Sequence, residues 1–309
     1  MHPVYTYIKN ELANHYSATE CSALARWILS DVFHLSVTEI YSNKDDDFSA
    51  NNGEKLANII NRLKLFEPMQ YILRQTVFCG MPFEVSPDVL IPRPETEELV
   101  QWIVETNEKP KLNVLDIGTG SGCIAISLAK NLHSPTVTAC DISAKALDIA
   151  RRNAENLNAP VTFLQTDILK HPSSLIDYVD FAHARHTESC RFSLHSLNLK
   201  IPNSSLKYDI VVSNPPYITD SERKDMSPNV LDWEPPEALF VPDSDPLLFY
   251  RRISLLSQDL LHSGGKLYFE INRLYGDDIV YMLETLGYVD IIKRKDLSGN
   301  DRFIKAIRP

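Results

Sequence analysis

The stretch Val114-Leu-Asp-Ile-Gly-Thr-Gly-Ser-Gly-Cys-Ile-Ala-Ile126 predicts a buried strand, a glycine-rich turn and an apolar helix, in that order. Glycines let a backbone approach a ligand closely, and the amino end of a helix presents free N–H groups to it. The spacing Gly-x-Gly-x-Gly differs from the Gly-x-Gly-x-x-Gly pattern of dinucleotide-binding folds. This unit therefore predicts an α/β fold with a ligand bound at the turn.

Two further strands follow, and each has an acidic residue at or near its end. The strand 136–140 leads into Asp141, and the strand 161–165 ends near Asp167. An acidic residue at the tip of the second strand can accept hydrogen bonds from both ribose hydroxyls, and Asp167 is placed to reach an adenine amine. Either residue taken singly could instead cap a helix or lie in a solvated loop. Together with the glycine turn they indicate a nucleoside-bearing ligand, and S-adenosylmethionine fits the Gly-x-Gly-x-Gly form best.

The tetrapeptide Asn214-Pro-Pro-Tyr217 follows an apolar run, 208–213, that reads as a buried parallel strand. Open α/β sheets bind ligands at this end of their strands. The two prolines forbid a helix and fix the backbone, so they can hold the Asn214 amide in one geometry. Asn offers one acceptor and two donors, which suits a substrate NH2 group, and Tyr217 supplies a flat face beside it. A proline-rich turn closed by an Asn is the simpler interpretation of these four residues alone.

These motifs occur together with others in a pattern that resembles the HemK/PrmC family of protein-(glutamine-N5) methyltransferases. The resemblance spans nearly the whole chain. The narrowest match, at residues 91–97, favours the branch that modifies peptide-chain release factors over the related ribosomal-protein branch. The matching stretches are Pro68-Met-Gln-Tyr-Ile72, Phe83-Glu-Val85, Val89-Leu-Ile-Pro-Arg-Pro-Glu-Thr-Glu97, Asp116-Ile-Gly-Thr-Gly-Ser-Gly122, Asn214-Pro-Pro-Tyr217, Glu234-Pro-Pro-Glu-Ala-Leu239, Gly264-Gly265 with Glu270-Ile271, and Asp296-Leu-Ser-Gly-Asn-Asp-Arg302.

The resemblance implies a class I S-adenosylmethionine-dependent methyltransferase with a Rossmann-like, mainly parallel seven-stranded sheet. Its implied reaction is methylation of the side-chain amide of a glutamine, in the Gly-Gly-Gln motif of release factors, in support of translation termination. The cofactor-binding residues implied are Gly118, Thr119, Gly120, Ser121, Gly122, Asp141, Asp167, Ile168 and Asn214. The residues implied to hold the glutamine are Asn214, Pro215, Pro216 and Tyr217, of which Asn214, Pro215 and Tyr217 are the catalytic candidates.

The chemistry of an amide nitrogen sets what such a site must do. Its lone pair is delocalised into the carbonyl, so the site should orient the nitrogen in line with the methyl carbon. Acceptors at Asn214 and the Pro215 carbonyl would hold both N–H bonds and stabilise the positive charge that develops there. Tyr217 would pack on the amide plane, and no strong general base is required before transfer. Glu95 and Glu97 either shape the pocket or lie on a surface loop.

The chain departs from the family pattern in two places. Asn272 stands where the family often has Gly, a change expected to affect local turn geometry only. About thirty extra residues, from about 171 to 205, separate Asp167 from Asn214. This insertion carries His183, His186, Cys190 and His195, which could hold zinc, but their spacing matches no standard finger. A solvated loop without metal is therefore the favoured interpretation.

The domain organisation predicted is a helical domain over 1–67, a β-hairpin connector over 68–92 and a methyltransferase domain over 93–309. Ser17-Ala-Thr-Glu20 and Ser36-Val-Thr-Glu39 match the capping box that opens helices. Leu56, Ile59, Ile60, Leu63 and Phe66 keep the spacing of one helix face, and Pro68 is expected to stop that helix. These apolar stripes make the core of the helical domain, and the domain is expected to recognise the protein substrate.

Composition is consistent with a cytoplasmic enzyme. The amino terminus lacks the pattern of a signal peptide, no apolar run is long enough to span a bilayer, and the five scattered cysteines suggest a reduced, mostly buried set. The net charge of −10 disfavours free nucleic acid, because nucleic-acid binders use basic faces. The expected partner is a release factor, with no membrane, and the expected state is a monomer. Three alternatives remain: methylation of an exocyclic amine in nucleic acid, methylation of a ribosomal-protein glutamine, and a catalytically silent cofactor-binding protein.

Overall fold

The computed structural model describes residues 2–42, 50–170 and 207–309. The chain divides into two compact units, one comprising Met1–Arg74 with Met226–Trp233 and the other Gln75–Asp225 with Glu234–Pro309. The predicted insertion at about 171–205, with its candidate zinc ligands, lies outside the described residues.

The first unit is helical. Its core consists of buried apolar side chains from the helices of this unit, including Ile8, Leu12, Ala25, Ile28 and Leu29. The later segment of this unit contributes Trp233, whose indole Nε1 donates to the Leu65 carbonyl at 3.0 Å. The helices are α1 (Pro3–Leu12), α2 (Ala18–Trp27) with a π-helical turn at Ile28–Val32, α3 (Val37–Tyr41), α4 (Ala50–Leu63) and α5 (Met69–Leu73).

The two predicted capping boxes are confirmed. At the start of α2, Glu20 N donates to Ser17 Oγ at 3.3 Å and Ser17 N donates to Glu20 Oε2 at 2.9 Å. Ser36 and Glu39 form the same reciprocal pair at the start of α3. Each box provides partners for N–H groups that a helix leaves unsatisfied at its amino end.

The end of α4 differs from the prediction that Pro68 stops the helix. The helix ends at Leu63, and Phe66 adopts a left-handed conformation with φ 59°. Phe66 N donates to Leu63 O at 2.8 Å and Glu67 N donates to Arg62 O at 3.3 Å. These two bonds form a Schellman motif, which satisfies the last carbonyls before Pro68 is reached. Phe66 therefore lies outside the helix, whereas Leu56, Ile59, Ile60 and Leu63 are buried as predicted.

The connector, predicted as a β-hairpin over 68–92, begins with a helix instead. Residues Met69–Leu73 form the short helix α5, which starts after Pro68 and ends at Arg74 in the left-handed region. The predicted hairpin follows, as strands β1 (Gln75–Phe78) and β2 (Met81–Glu84) paired antiparallel. Met69 and Tyr71 of this helix are buried.

The second unit contains the predicted mainly parallel sheet of seven strands, which confirms the fold class. The strands are β3 (Asn113–Ile117), β4 (Thr136–Asp141), β5 (Val161–Gln165), β6 (Tyr208–Ser213), β9 (Leu261–Glu270), β10 (Val289–Lys295) and β11 (Asp301–Ile307). Their order in the sheet is β10-β11-β9-β6-β3-β4-β5. Strand β11 runs antiparallel to both of its neighbours, and the pairs among β9, β6, β3, β4 and β5 are parallel.

Successive residues of the central strands enter two different cores. Val114 belongs to one apolar cluster and Leu115 to the other, as expected for a sheet covered on both faces. A separate parallel pair joins β7 (Ile218–Thr219) to β8 (Phe240–Val241). The described helices of this unit are α6 (Pro94–Glu105), α7 (Cys123–Asn131), α8 (Ala144–Asn156), α10 (Pro236–Leu239), α11 (Leu248–Leu260) and α12 (Gly276–Thr285), with α9 (Pro228–Leu231) assigned to the helical unit.

Two further expectations can be compared with the structure. Within the described ranges, every helix is too short or too polar to span a membrane. Cys21, Cys123 and Cys140 are buried and Cys79 is partly exposed, and all four are free thiols. Cys190 lies outside the described residues.

Candidate active site

A cavity of about 380 Å³ opens at the carboxyl ends of β3, β4 and β6. It brings together eight residues that were predicted from separate motifs, so the three predicted ligand elements meet in one place. These residues are Gly118, Gly120, Asp141, Asp167, Ile168, Asn214, Pro215 and Pro216.

The glycine turn is fixed by its own backbone. Gly118 has φ 76° and Gly120 has φ 54°, and residues other than glycine adopt such positive φ angles only with strain. The N–H groups of Gly118 and Thr119 both donate to the Cys140 carbonyl, at 2.9 and 3.0 Å. The turn is thereby tied to the end of β4, the strand that carries Asp141.

The other three residues of the turn are not among the described residues that line the cavity. Thr119 is buried and donates from Oγ1 to Asp116 Oδ2 at 2.7 Å. Burial raises the pKa of Asp116 to about 7. Ser121 is buried, and Gly122 begins α7 with φ 83°, where a Cβ would lie 3.0 Å from Ile126 Cδ1. Thr119, Ser121 and Gly122 therefore shape the turn from behind.

Asp141 lies at the end of β4 with its carboxylate directed to the glycine turn. Oδ2 accepts from Gly120 N and Oδ1 accepts from Ser143 N, each at 2.9 Å. Burial raises the pKa of Asp141, and these backbone bonds oppose that rise. A carboxylate has about four acceptor positions, so two hydrogen bonds leave capacity for ribose hydroxyls.

Asp167 is placed beside the cavity but is already engaged. Its Oδ1 accepts from Leu169 N at 2.9 Å, and its Oδ2 pairs with Lys170 Nζ at 3.2 Å. Ile168 also lines the cavity, and its carbonyl accepts from Arg252 Nε at 2.7 Å. The prediction that Asp167 reaches an adenine amine stays a prediction.

Sequence reasoning missed most of the apolar lining. A flat aromatic ring could be bound between apolar side chains such as Ile142, Phe249 and Ile253, which lie outside the quoted motifs. Only Leu90 and Glu237 fell within quoted motifs, which could have indicated them. The missed residues are Leu90, Ile142, Ala146, Glu237, Phe249 and Ile253.

Asn214 follows β6 and is held by a side chain from α6. Its Nδ2 donates to Thr96 Oγ1 at 3.3 Å, and Thr96 Oγ1 donates to Glu270 Oε2 at 2.6 Å. The preceding residue, Ser213, donates from Oγ to the Ile117 carbonyl at 2.6 Å, which joins the ends of β6 and β3. Asn214 therefore occupies one fixed place on the cavity wall.

Tyr217 lies outside the described residues that line the cavity, and its ring packs against one of the two sheet cores. Its hydroxyl donates to Glu270 Oε1 at 3.2 Å, and its backbone N donates to the Leu239 carbonyl at 3.2 Å. Burial, and next the nearby charge of Glu270, raise the pKa of this phenol far above its usual value. Tyr217 thus remains a neutral hydrogen-bond donor at physiological pH.

The departure at Asn272 affects more than its own turn. Asn272 is 4 % exposed. Its Nδ2 donates to the Tyr217 carbonyl at 3.1 Å and to Glu222 Oε2 at 3.0 Å, while its Oδ1 accepts from Leu274 N at 3.0 Å. The expectation that this residue affects local geometry only was therefore wrong, because it fixes the backbone that follows the two prolines.

Glu95 and Glu97 of the 91–97 segment lie on α6 rather than on a surface loop. Glu97 Oε1 accepts from Cys79 N at 2.9 Å, so it holds the hairpin turn. Glu95 and Glu97 are not among the described lining residues of the cavity. Arg93 forms an ion pair with buried Glu234, whose Oε2 also accepts from Ile91 N at 3.2 Å. Two motifs far apart in sequence are thus joined beside the site.

A search of the described residues finds no cluster of three or more His, Cys, Asp and Glu side chains arranged for a metal ion. The four residues considered as zinc ligands lie outside those residues, so that alternative is not tested.

Comparison with known proteins gives two family matches and several full-length relatives. Residues 114–195 match a methyltransferase domain and residues 4–73 match the PrmC N-terminal domain. The release factor glutamine methyltransferase of Bacteroides thetaiotaomicron is 46% identical over 308 residues, covering 100% of both chains. That of Flavobacterium psychrophilum is 41% identical over 290 residues, covering 90% of this chain and 91% of the relative.

Among solved structures, a similar one is the release factor-specific protein-(glutamine-N5) methyltransferase from Alicyclobacillus acidocaldarius. It is 25% identical, with a TM-score of 0.40, over 73% of this chain and 99% of that chain.

Proposed function

The chain belongs to the family of release factor glutamine methyltransferases, and we propose that Asn214 and Pro215 of this chain carry the family's reaction, with Tyr217 holding the turn on which they lie. The enzyme transfers a methyl group from S-adenosylmethionine to the side-chain amide nitrogen of a glutamine in a peptide-chain release factor. The observation that carries the residue assignment is that Asn214, Pro215 and Pro216 line the same cavity as the glycine turn and Asp141.

The residues of the cavity fit S-adenosylmethionine. Asp141 retains acceptor capacity for ribose hydroxyls, Ile142 and Phe249 provide apolar faces for a ring, and Gly118 and Gly120 leave the backbone accessible. When bound, the cofactor supplies a methyl group on a cationic sulfonium. Thr119, Ser121, Gly122, Asp167 and Ile168 complete the proposed cofactor site, the first three by shaping the turn.

Asn214 and Pro215 are proposed to hold the amide nitrogen of the substrate. The side-chain oxygen of Asn214 and the carbonyl of Pro215 accept one N–H bond each, which aligns the nitrogen and favours a more pyramidal geometry. Both oxygens also stabilise the positive charge that develops as the new N–C bond forms. The excess proton can leave after transfer, so no strong base is required.

Tyr217 is proposed to act by holding this turn rather than by touching the reacting atoms. Its ring is packed in the core and its hydroxyl is bonded to Glu270, so neither is free to abstract a proton. Pro216 completes the wall against which the glutamine side chain lies.

The helical unit is proposed to recognise the release factor. Residues 4–73 match the PrmC N-terminal domain, and this unit has a core of its own. Several large apolar side chains remain exposed on it: Tyr7, Val37, Tyr41 and Leu65. The net charge of −10 supports a protein substrate rather than free nucleic acid.

An assay with radiolabelled S-adenosylmethionine tests the proposed methyl transfer and the proposed release-factor substrate. Purified release factor, ribosomal protein and RNA are offered in parallel, and label is expected on release factor alone. Release factor whose target glutamine is replaced by asparagine serves as the control and should stay unlabelled. Label on the ribosomal protein or RNA would contradict the proposed substrate.

The same assay addresses the helical unit. Val37→Ser should raise the KM for intact release factor and leave kcat unchanged, because it removes an exposed apolar contact without touching the cavity. A lower kcat with unchanged KM would assign the unit a role other than recognition.

A further inference from the structure

Three side chains from different parts of the second unit form a hydrogen-bonded chain that ends at the proposed reacting site. Asn214 Nδ2 donates to Thr96 Oγ1 at 3.3 Å, and Thr96 Oγ1 donates to Glu270 Oε2 at 2.6 Å. Thr96 is 2% exposed and Glu270 is 1% exposed. Water therefore has little access to Thr96 or to Glu270.

The direction of each bond follows from how many protons each group has. A threonine hydroxyl has one proton and two lone pairs. The proton of Thr96 is used on Glu270, so the side of the oxygen that faces Asn214 presents lone pairs. Only an N–H donor is favourable there, and an oxygen turned toward Thr96 would meet lone pairs.

The surroundings of Glu270 keep it an acceptor. Its second oxygen, Oε1, accepts from the Tyr217 hydroxyl at 3.2 Å. Burial raises the pKa of Glu270, and Thr96, Arg302 and Tyr217 oppose that rise. The two hydroxyl donors, one on each oxygen, and the nearby Arg302 guanidinium favour the charged form against the effect of burial.

We propose that Thr96 and Glu270 are positioning residues that determine which way the Asn214 amide faces. With Nδ2 held by Thr96, the oxygen Oδ1 is left to accept from the substrate nitrogen. Rotation of the amide by half a turn would instead present an NH2 group to the substrate NH2 group, two donors facing each other. This inference rests on the proposed role of Asn214.

Thr96→Val tests the proposal, because valine has the shape of threonine but cannot accept from Nδ2. We expect kcat to fall roughly 10- to 100-fold, as when a residue that orients a functional group is lost. The dissociation constant of S-adenosylmethionine, measured by calorimetry, should change by no more than about twofold. Thr96→Ser restores the hydroxyl and should recover most of the lost turnover.

A double-mutant cycle separates positioning from general packing. In the Asn214→Ala background there is no amide left to orient, so Thr96→Val should have almost no further effect on kcat. An equal loss of kcat in both backgrounds, or an unchanged kcat in Thr96→Val alone, would overturn the proposal. Should the valine variant fail to fold, Thr96→Ala is carried through the same cycle.

Thr138→Val is the matched control, because Thr138 is a threonine of similar burial, on β4, that does not line the cavity. Its kcat should stay at the wild-type value. The failure of this inference is distinguishable from failure of the proposed function. If wild-type enzyme does not label release factor, the function fails; if it does and the cycle is additive, only the positioning role fails.

Discussion

The two walls of the cavity are held in place by different kinds of bond. The glycine turn and Asp141 are fixed by backbone groups that lie close by, including Gly120 N and Ser143 N on the Asp141 carboxylate. The turn that contains Asn214 and Tyr217 is fixed by side chains from distant parts of the sequence. Asn214 and Thr96 are separated by 118 positions, and Tyr217 and Glu270 by 53.

This difference matches the role proposed for each wall. The wall formed by the glycine turn and Asp141, which we call the cofactor wall, is held by backbone N–H and C=O groups. It therefore gains its shape as soon as the strand, turn and helix form. The wall formed by the turn with Asn214 and Tyr217, which we call the substrate wall, must instead direct one amide oxygen at the substrate. An asparagine side chain can rotate unless a neighbouring group holds it. Side-chain bonds in a water-poor place supply that constraint, and the loss of one partner leaves the other unsatisfied.

The comparison predicts its largest effect at Asn214. Asn214→Ala removes the acceptor aimed at the reacting nitrogen, so turnover should fall roughly 10²–10³-fold by analogy with a lost oxyanion-hole donor. The dissociation constant of S-adenosylmethionine should change far less, because the cofactor wall has its own supports. Turnover is measured on release factor with saturating donor, and affinity by calorimetry.

Asn214→Asp sharpens the same test. Aspartate keeps an oxygen for the substrate but loses the donor that Thr96 accepts, so we expect it to be as poor as alanine. Aspartate retaining much more activity than alanine would mean that the oxygen alone matters. Near-normal turnover in both variants would remove this wall from catalysis.

The next effect in size is expected on the cofactor wall. Asp141→Ala removes a charged acceptor for the ribose and should weaken S-adenosylmethionine binding by on the order of 1.5–3 kcal/mol. Turnover at saturating donor should change less than for Asn214→Ala, which is the reverse of the pattern above. Asp148→Ala, at an exposed aspartate on α8, is the control and should bind normally. Unchanged affinity in folded Asp141→Ala would exclude Asp141 from the site.

The same difference between the walls explains how much could be predicted from sequence. The strand 114–117, the positive-φ glycines and Asp141 form one local unit, so their spacing predicted the fold and the meeting of Gly118, Gly120 and Asp141 at one cavity. The strands 208–213 and 161–165 were also predicted with the bounds that the structure shows, because short runs rich in apolar and β-branched residues indicate strands.

The supports of the substrate wall could not be predicted in this way. Thr96 lies between Glu95 and Glu97 in the 91–97 segment, and the two acids are the more conspicuous candidates there because they carry charge. Which of three neighbours on a helix faces inward depends on where α6 packs, and pairing with Glu270 depends on the strand order. Asn272 was underestimated for the same reason, since its contacts lie 50 and 55 positions away.

The smallest expected effect tests whether a long-range side-chain bond affects turnover wherever it lies in the sheet, or only when it lies beside the cavity. His262 Nε2 and Asp209 Oδ1 lie 2.7 Å apart, near the amino ends of β9 and β6 and therefore opposite the cavity. The bond to Asp209 raises the pKa of His262 above 6.5. A raised pKa means that this stabilisation is fully present below the unfolded-state pKa, about 6.5, and is lost as pH rises through the folded-state value. Because both groups are partly exposed, this stabilisation should amount to less than about 1 kcal/mol.

His262→Gln should therefore lower the melting temperature slightly at pH 6, with a difference that shrinks toward pH 9, and should leave kcat unchanged throughout. A fall in kcat comparable to that of Thr96→Val would show that turnover reports the rigidity of the whole sheet, and the contrast between the two walls would then lose its meaning.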